Sequence, residues 1–297
     1  MLPYQVDFTS SNNNISNNNC SGNSRGGIYL ISSSYNYITN NTCSNNSYDG
    51  IWCDSSTSDN YIMDNTCSGN RIGITIIGGD SNNIMSNNCS RNSYYGIYLS
   101  GSSNTIINNS CTRNVDCGIY LYSATENDIT NNNCTENGGY GIFLNGSKKN
   151  ILTYNNCSNN FCGMKLYFLS TGNTITDNYF YNNINYAINI TFDSTNNTIH
   201  HNYFYQNNGA GKGVNGNCQA YDDVGGNYWY DNTAQQGNYW SNWDGSGWGT
   251  PNAYPIDGGA GAYDMYPLSN PTPELSPMAV IVSALGFLCV AALRKRK

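Results

Sequence analysis

Few side chains in this sequence can do acid–base chemistry, and two short stretches group acids with a base. Asp49, Asp54, Asp59 and Asp64 follow one another closely, with Arg71 the nearest base. Asp116, Glu126 and Asp128 gather near Arg113. Carboxylates beside a cation are what proton abstraction from an acidic sugar requires. The four aspartates, however, occupy different phases of one repeat, and no such set recurs in adjacent repeats. These residues therefore give no catalytic assignment, and the expectation leans away from an enzyme. A second set is suited to binding. Tyr29, Trp52, Tyr98, Tyr120 and Phe143 recur in one phase, with Thr75, Lys165 and Asn189 in the same column. Flat rings in a row can stack on sugar faces, although neighbouring aromatics on strands also simply shield one another. Arg25, Tyr48, Arg71, Tyr94 and Tyr95 lie just before that column and could add polar contacts.

Other chemistries are poorly supplied. The net charge is −7 with 12 basic residues, and the only basic run is the last four. Nucleic acid is excluded as a partner on that ground; a polysaccharide or cell-wall glycan suits the low charge and the tyrosines. Two imidazoles, His200 and His201, and no methionine cluster make no copper set, so neither metal nor cofactor is expected.

The elements that must position these residues are repeats. Cys20, Cys43, Cys67, Cys89, Cys111, Cys134 and Cys157 recur every 22–24 residues, and Phe180 and Phe204 continue the column. Isoleucines keep the same period from Ile15 to Ile199, and a Gly-Ile-x-Leu pattern recurs from Gly27 to Gly141. A fixed period in the low twenties, with two or three short apolar patterns per unit, predicts a parallel β-helix of about nine coils. The cysteines read as small buried hydrophobes stacked in its core. Asn40, Asn65, Asn87, Asn108, Asn131 and Asn155 are expected to form a stacked amide column. Of the Asn-x-Ser/Thr sequons, Asn145 sits in a turn and is the best glycosylation candidate.

Residues 1–208 are thus read as repeats and 209–270 as an aromatic-rich terminal cap. A Pro-rich linker follows at 271–277. Residues 278–293 are apolar and uncharged, and Arg294–Lys297 is basic. That ending predicts a transmembrane or sorting helix with a cytoplasmic basic tail, anchoring the protein at the cell surface. The first residues carry no signal peptide, which suggests a truncated start or a misassigned one.

The repeats resemble the NosD-type right-handed parallel β-helix family over residues 11–268. Asn238-Tyr239-Trp240-Ser241, Tyr254–Asp257 and Asp264–Leu268 are similar to the family's closing segment in archaeal surface proteins. Pro273-Glu274-Leu275 with the apolar run resembles methanogen sorting signals. This resemblance implies the right hand of the helix and an archaeal-type surface protein. The fold also resembles polysaccharide lyases and carbohydrate epimerases. The reading is an all-β right-handed β-helix plus a C-terminal transmembrane helix. Its expected role is structural or adhesive, with glycan bound along the aromatic column. The alternatives are a carbohydrate-active enzyme and a periplasmic-type copper-binding accessory protein.

Overall fold

The computed structural model describes residues 6–8, 11–209, 217–243 and 252–269. Short strands of two to six residues wind into a parallel β-solenoid. The first sheet holds ten strands in chain order, from Val6–Phe8 through Ile28–Leu30, Ile51–Cys53 and Ile74–Ile77 to Ala220–Asp222. The second holds nine, from Asn14–Ser16 to Thr198–His200. The third begins as single bridges running from Asn19 to Asn156 and becomes regular at Tyr179–Tyr181, Tyr203–Tyr205 and Tyr239–Trp240. None of these strands could stand alone. Each is held because the coils on either side supply its backbone partners.

Register is strict. Ile28, Ile51, Ile74 and Ile97 are mutual partners, as are Tyr29, Trp52, Thr75 and Tyr98. Strand alternation therefore sends one set inward and the other outward along the whole rod. The inward isoleucines and leucines are buried, together with Cys20, Cys43, Cys67, Cys89, Cys111, Cys134 and Cys157. Phe180, Phe204, Trp240 and Tyr254 then continue the column as stacked rings, with centroids 5.2, 4.2 and 4.0 Å apart. Residues 217–243 supply a further, irregular turn. Ala220–Asp222 joins the first sheet, Tyr228 bridges Thr198, and Tyr239–Trp240 joins the third.

Buried asparagines make three columns. One runs through Asn41, Asn65, Asn87, Asn109, Asn132, Asn155, Asn178, Asn202 and Asn238. In each from Asn41 to Asn202, the backbone N–H and the side-chain amide both donate to the carboxamide oxygen one coil further on. For Asn87 those distances are 2.9 and 3.0 Å, and its amide also donates to Ile62 O at 2.8 Å. Two parallel columns pass through Asn82 and Asn104, and through Asn92 and Asn114. The expected column mixed two phases. Asn65, Asn87 and Asn155 are members, whereas Asn40, Asn108 and Asn131 are the preceding residues, with φ of 55°, 58° and 54°. The first Asn of each pair takes the left-handed turn, and that turn points the second one inward.

Carboxylates close two of the columns. Asp264 accepts from Asn238 N at 2.7 Å, Trp240 Nε1 at 2.8 Å and Tyr266 N at 3.1 Å. Asp222 accepts from Asn227 Nδ2 and Trp229 Nε1. The amide dipoles point their donor ends toward this terminus, so an anion there meets their positive end. Helix termini use the same electrostatics.

One element of the expected fold class is corrected. No helix among the described residues is long and apolar enough to cross a membrane. The segment expected to do so, 278–293, lies outside them, as do 271–277 and 294–297. The membrane partner, the C-terminal anchor and the cell-surface localisation built on that helix are withdrawn.

Two stability measurements follow. Asn109→Ala strips the acceptor from both Asn87 donors and the donor from Ile84 O. At about 1–3 kcal/mol for each buried group left unpaired, chemical denaturation should show a loss of at least about 3 kcal/mol. Asn108→Ala should cost about 1–2 kcal/mol, the strain of a left-handed Ala. Burial raises Asp264 from 3.8 to about 6, outweighing its donors. A raised carboxyl favours the folded state when protonated. Its contribution should be complete below about pH 4, fall by up to about 3 kcal/mol as pH rises through 6, and stay flat above. Wild type and Asp264→Asn compared across pH should differ by that slope.

Candidate functional site

The outward column of the first sheet is not a continuous aromatic platform. Tyr29 and Trp52 lie 5.4 Å apart, Tyr98 and Tyr120 5.6 Å, and Tyr120 and Phe143 4.9 Å. The first and last of these pairs are tilted by 35° and 30° and Tyr98 meets Tyr120 edge-on at 68°, so neighbouring rings shield one another. Thr75 interrupts the row between Trp52 and Tyr98. Its short side chain leaves the facing sides of those two rings about two coils apart, roughly 9.6 Å. The interval is a pocket of about 400 Å³ lined by Asp49, Trp52, Arg71, Thr75, Tyr95 and Tyr98 among others.

Charge enters this slot from the preceding turns. Arg71 Nε lies 3.3 Å from Asp49 Oδ1, and Thr75 Oγ1 donates to Asp49 Oδ2 at 2.9 Å. The Asp49 side chain is only 4% exposed whereas that of Arg71 is 47% exposed. Burial pushes the Asp49 carboxyl above the usual carboxylate range, against the pull of Arg71 and Thr75. The Arg71 guanidinium also sits 5.7 Å from the Tyr48 ring centre, a cation–π distance. Burial raises the phenols of Tyr95 and Tyr98, with further contributions from Asp116 beside Tyr95 and from Tyr120 beside Tyr98. Both rings therefore keep their protons at neutral pH and act as hydrogen-bond donors. The slot holds a buried carboxylate, a half-exposed cation, the Trp52 indole and the phenols of Tyr95 and Tyr98, which stack on each other with centroids 6.3 Å apart.

The remaining acidic residues are dispersed. Asp54 accepts from Thr57 and Ser56 in its own turn, and Asp59 and Asp64 occupy left-handed positions, each with φ 56°. Arg113 pairs with Glu136 at 2.7 Å, and Glu126 with Lys149 at 3.3 Å. The cluster expected around Arg113 does not form: register pairs Arg113 with Glu136 and Glu126 with Lys149, while Asp116 accepts from Cys117 and Asp128 from Thr130. His200 and His201 face each other through Nδ1 at 2.5 Å, with Gln236 Oε1 2.5 Å from His201 Nε2. Among the described residues no group of three or more His, Cys, Asp or Glu is placed to hold a metal ion. Asn145 is half-buried at the end of Tyr140–Asn145 and donates to Tyr120 OH at 2.9 Å, and Ser147 of its sequon is fully buried. The reading of the sequence missed the slot because it took the ring column as the feature. The signal was its interruption at Thr75, in register with Asp49 and Arg71 one turn-segment earlier. A tyrosine deck on the third sheet, Tyr179, Tyr203 and Tyr239 with centroids 5.0 and 4.6 Å apart, was also missed. Its signal lay in Tyr-Phe-Tyr at 179–181 and 203–205.

The profile of the family described as periplasmic copper-binding protein (NosD) matches residues 76–245. The chain belongs to this family. Residues 4–110 also match the right-handed β-helix region profile, which gives the hand of this NosD-family solenoid. No curated protein matches the chain. Among solved structures it is similar to the AlgE6 A-module, a mannuronan C-5 epimerase of Azotobacter vinelandii, at 13% identity and a TM-score of 0.55. That likeness covers 68% of this chain and 62% of the module. It is also similar to the Dettilon tailspike protein, at 16% identity and a TM-score of 0.65 over 80% of this chain and 54% of the tailspike. The chain thus spans less than two thirds of either structure. At these identities the likeness is one of fold.

The expectation leaning away from an enzyme is corrected here. An epimerase module is built on the same solenoid, so an acid–base set that does not recur in adjacent repeats is no argument against catalysis. The archaeal source and the sorting tail gain no support from these matches.

The slot makes a direct prediction. Thr75→Tyr should fold, because a tyrosine fills the same register position at Tyr98 and Tyr120. It should fill the gap and exclude any ligand from it. Thr75→Val keeps the gap and loses only the bond to Asp49, so chemical denaturation should show a loss of about 1.5–3 kcal/mol, the scale of one hydrogen bond to a charged group.

Proposed function

We propose that this chain is a carbohydrate-active solenoid of the polysaccharide lyase or epimerase type, with the Thr75 slot as its reaction centre. One observation carries the reading: a carboxylate and a guanidinium meet in the pocket that Trp52 and Tyr98 line at the one interruption in the Tyr29–Phe143 row. A sugar ring inserted edge-on would stack on Trp52 and Tyr98. Tyr29, Tyr120 and Phe143 extend the aromatic surface for neighbouring units of the polymer. Its ligand class is an acidic polysaccharide, since Arg71 can pair with a ring carboxylate.

The reaction begins at the carbon next to that carboxylate. Arg71 offsets the negative charge that grows there as the proton leaves. Asp49 takes the proton; its burial raises its basicity toward that task. Tyr98 or Tyr95 then delivers a proton. Delivery to the departing glycosidic oxygen completes an elimination, and delivery to the opposite face of the same carbon completes an epimerisation. In both, one proton is removed and one is returned.

Adhesive binding without turnover is the second reading, and the wider ring row favours it. A panel of acidic polysaccharides, mannuronan included, incubated in deuterated water separates the two. Deuterium at the exchanged carbon or an ultraviolet-absorbing unsaturated product is expected with wild type, and at least a hundredfold less with Asp49→Asn or Arg71→Ala. Binding without either signal would overturn the catalytic reading and leave the adhesive one.

A further inference from the structure

The Thr75 slot has a counterpart three coils along. In the column two residues further on each strand, Tyr122 pairs with Asn145, and Asn145 pairs with Tyr167. A short polar residue again stands between two rings in register. The interval is a pocket of about 450 Å³ lined by Tyr122, Asn145, Lys148, Tyr167, Phe168 and Leu169 among others. Asn145 forms its floor, as Thr75 does in the first slot, and its amide is oriented by the bond to Tyr120 OH.

The rim is apolar and open to water. Tyr122, Phe168 and Leu169 are 46%, 56% and 43% exposed. Phe168 and Leu169 hold φ of 48° and 60°, a conformation costly for bulky side chains. The backbone turn presents both at the mouth. Lys148, also exposed, supplies a cation, as Arg71 does at Thr75, in a chain whose net charge is −7. Three coils and two strand residues put the slots roughly 16 Å apart. Tyr98, Tyr120 and Phe143 lie between them as one connected run of rings, 5.6 and 4.9 Å apart.

We propose that the Asn145 gap is a second sugar subsite, taking an anionic unit of the same polysaccharide chain that occupies the Thr75 slot. This rests on the carbohydrate reading above and adds to it the path and minimum length of the ligand. The polymer runs obliquely along the solenoid axis, over Tyr98, Tyr120 and Phe143. Ligands too short to reach both slots lack the second contact.

Calorimetry of mannuronan oligomers, from dimer to octamer, on the full chain tests this, with Asn145 confirmed unmodified by mass. Wild-type affinity should rise at least tenfold between oligomers that fill one slot and those that span both. Asn145→Tyr, which places a ring where Tyr122 and Tyr167 already have one, should lose that rise and keep short-oligomer affinity. Lys148→Ala should do the same, and Thr75→Tyr should lose affinity at every length. A wild-type affinity independent of length, or a rise that survives in both Asn145→Tyr and Lys148→Ala, overturns the second subsite and leaves the Thr75 reading intact. Failure of wild type to bind any length, or Thr75→Tyr binding like wild type, overturns both.

Discussion

A buried amide in this protein finds its partner one coil away. In the Asn41–Asn202 ladder each asparagine gives two donors to a single oxygen in the next coil, and from Asn65 on its own oxygen serves the coil before. A coil displaced by one residue would leave a backbone N–H and a carboxamide unpaired at every corner, with the inward isoleucines turned out. Register is therefore fixed three times per turn, independently of the apolar core. The cysteines between those corners are free to be small. They fill the column without directional demands, and the closing turns exchange them for stacked rings.

Strict register also decides where chemistry can occur. Side chains in one phase are neighbours whatever their identity, so a column of rings closes its own faces. Only a short residue in such a column opens a slot, as Thr75 and Asn145 do. Charges obey the same rule. Arg71 meets Asp49, Arg113 meets Glu136 and Lys149 meets Glu126, each across one coil. Two of the three pairs are exposed on both sides and contribute little to stability. The Asp49 pair differs because its carboxylate is buried while its cation still reaches solvent. That asymmetry, more than the presence of acid and base, gives the Thr75 slot its chemical character.

The ends of the solenoid face an opposite problem. A ladder of aligned amides accumulates donors at its last coil, and the chain answers with Asp264 and Asp222 under two tryptophans. Aromatic stacking and a buried carboxylate close the apolar column and an amide column in the same turn. Asp264 accordingly sits where burial and hydrogen bonding oppose each other, with burial the larger effect.

Much of this fold was legible because a repeat states the same inference many times. A Cys, Ile and Gly-Ile-x-Leu pattern at one period specifies strands, alternation and stacking before any coordinate is known. The paired asparagines were legible only as a turn signal. Which of Asn108 and Asn109 points inward depends on a backbone angle that composition does not encode. The candidate site was half visible: Trp52, Tyr98 and Tyr120 stood out by type, but the pocket lies at the missing ring between the first two. Asp49 and Arg71 are 22 residues apart, and only the coil-to-coil register brings them to one slot with Thr75. Sequence by itself determined the period and the faces. The tertiary structure decided which faces stay open, because exposure of a ring depends on the neighbour stacked above it.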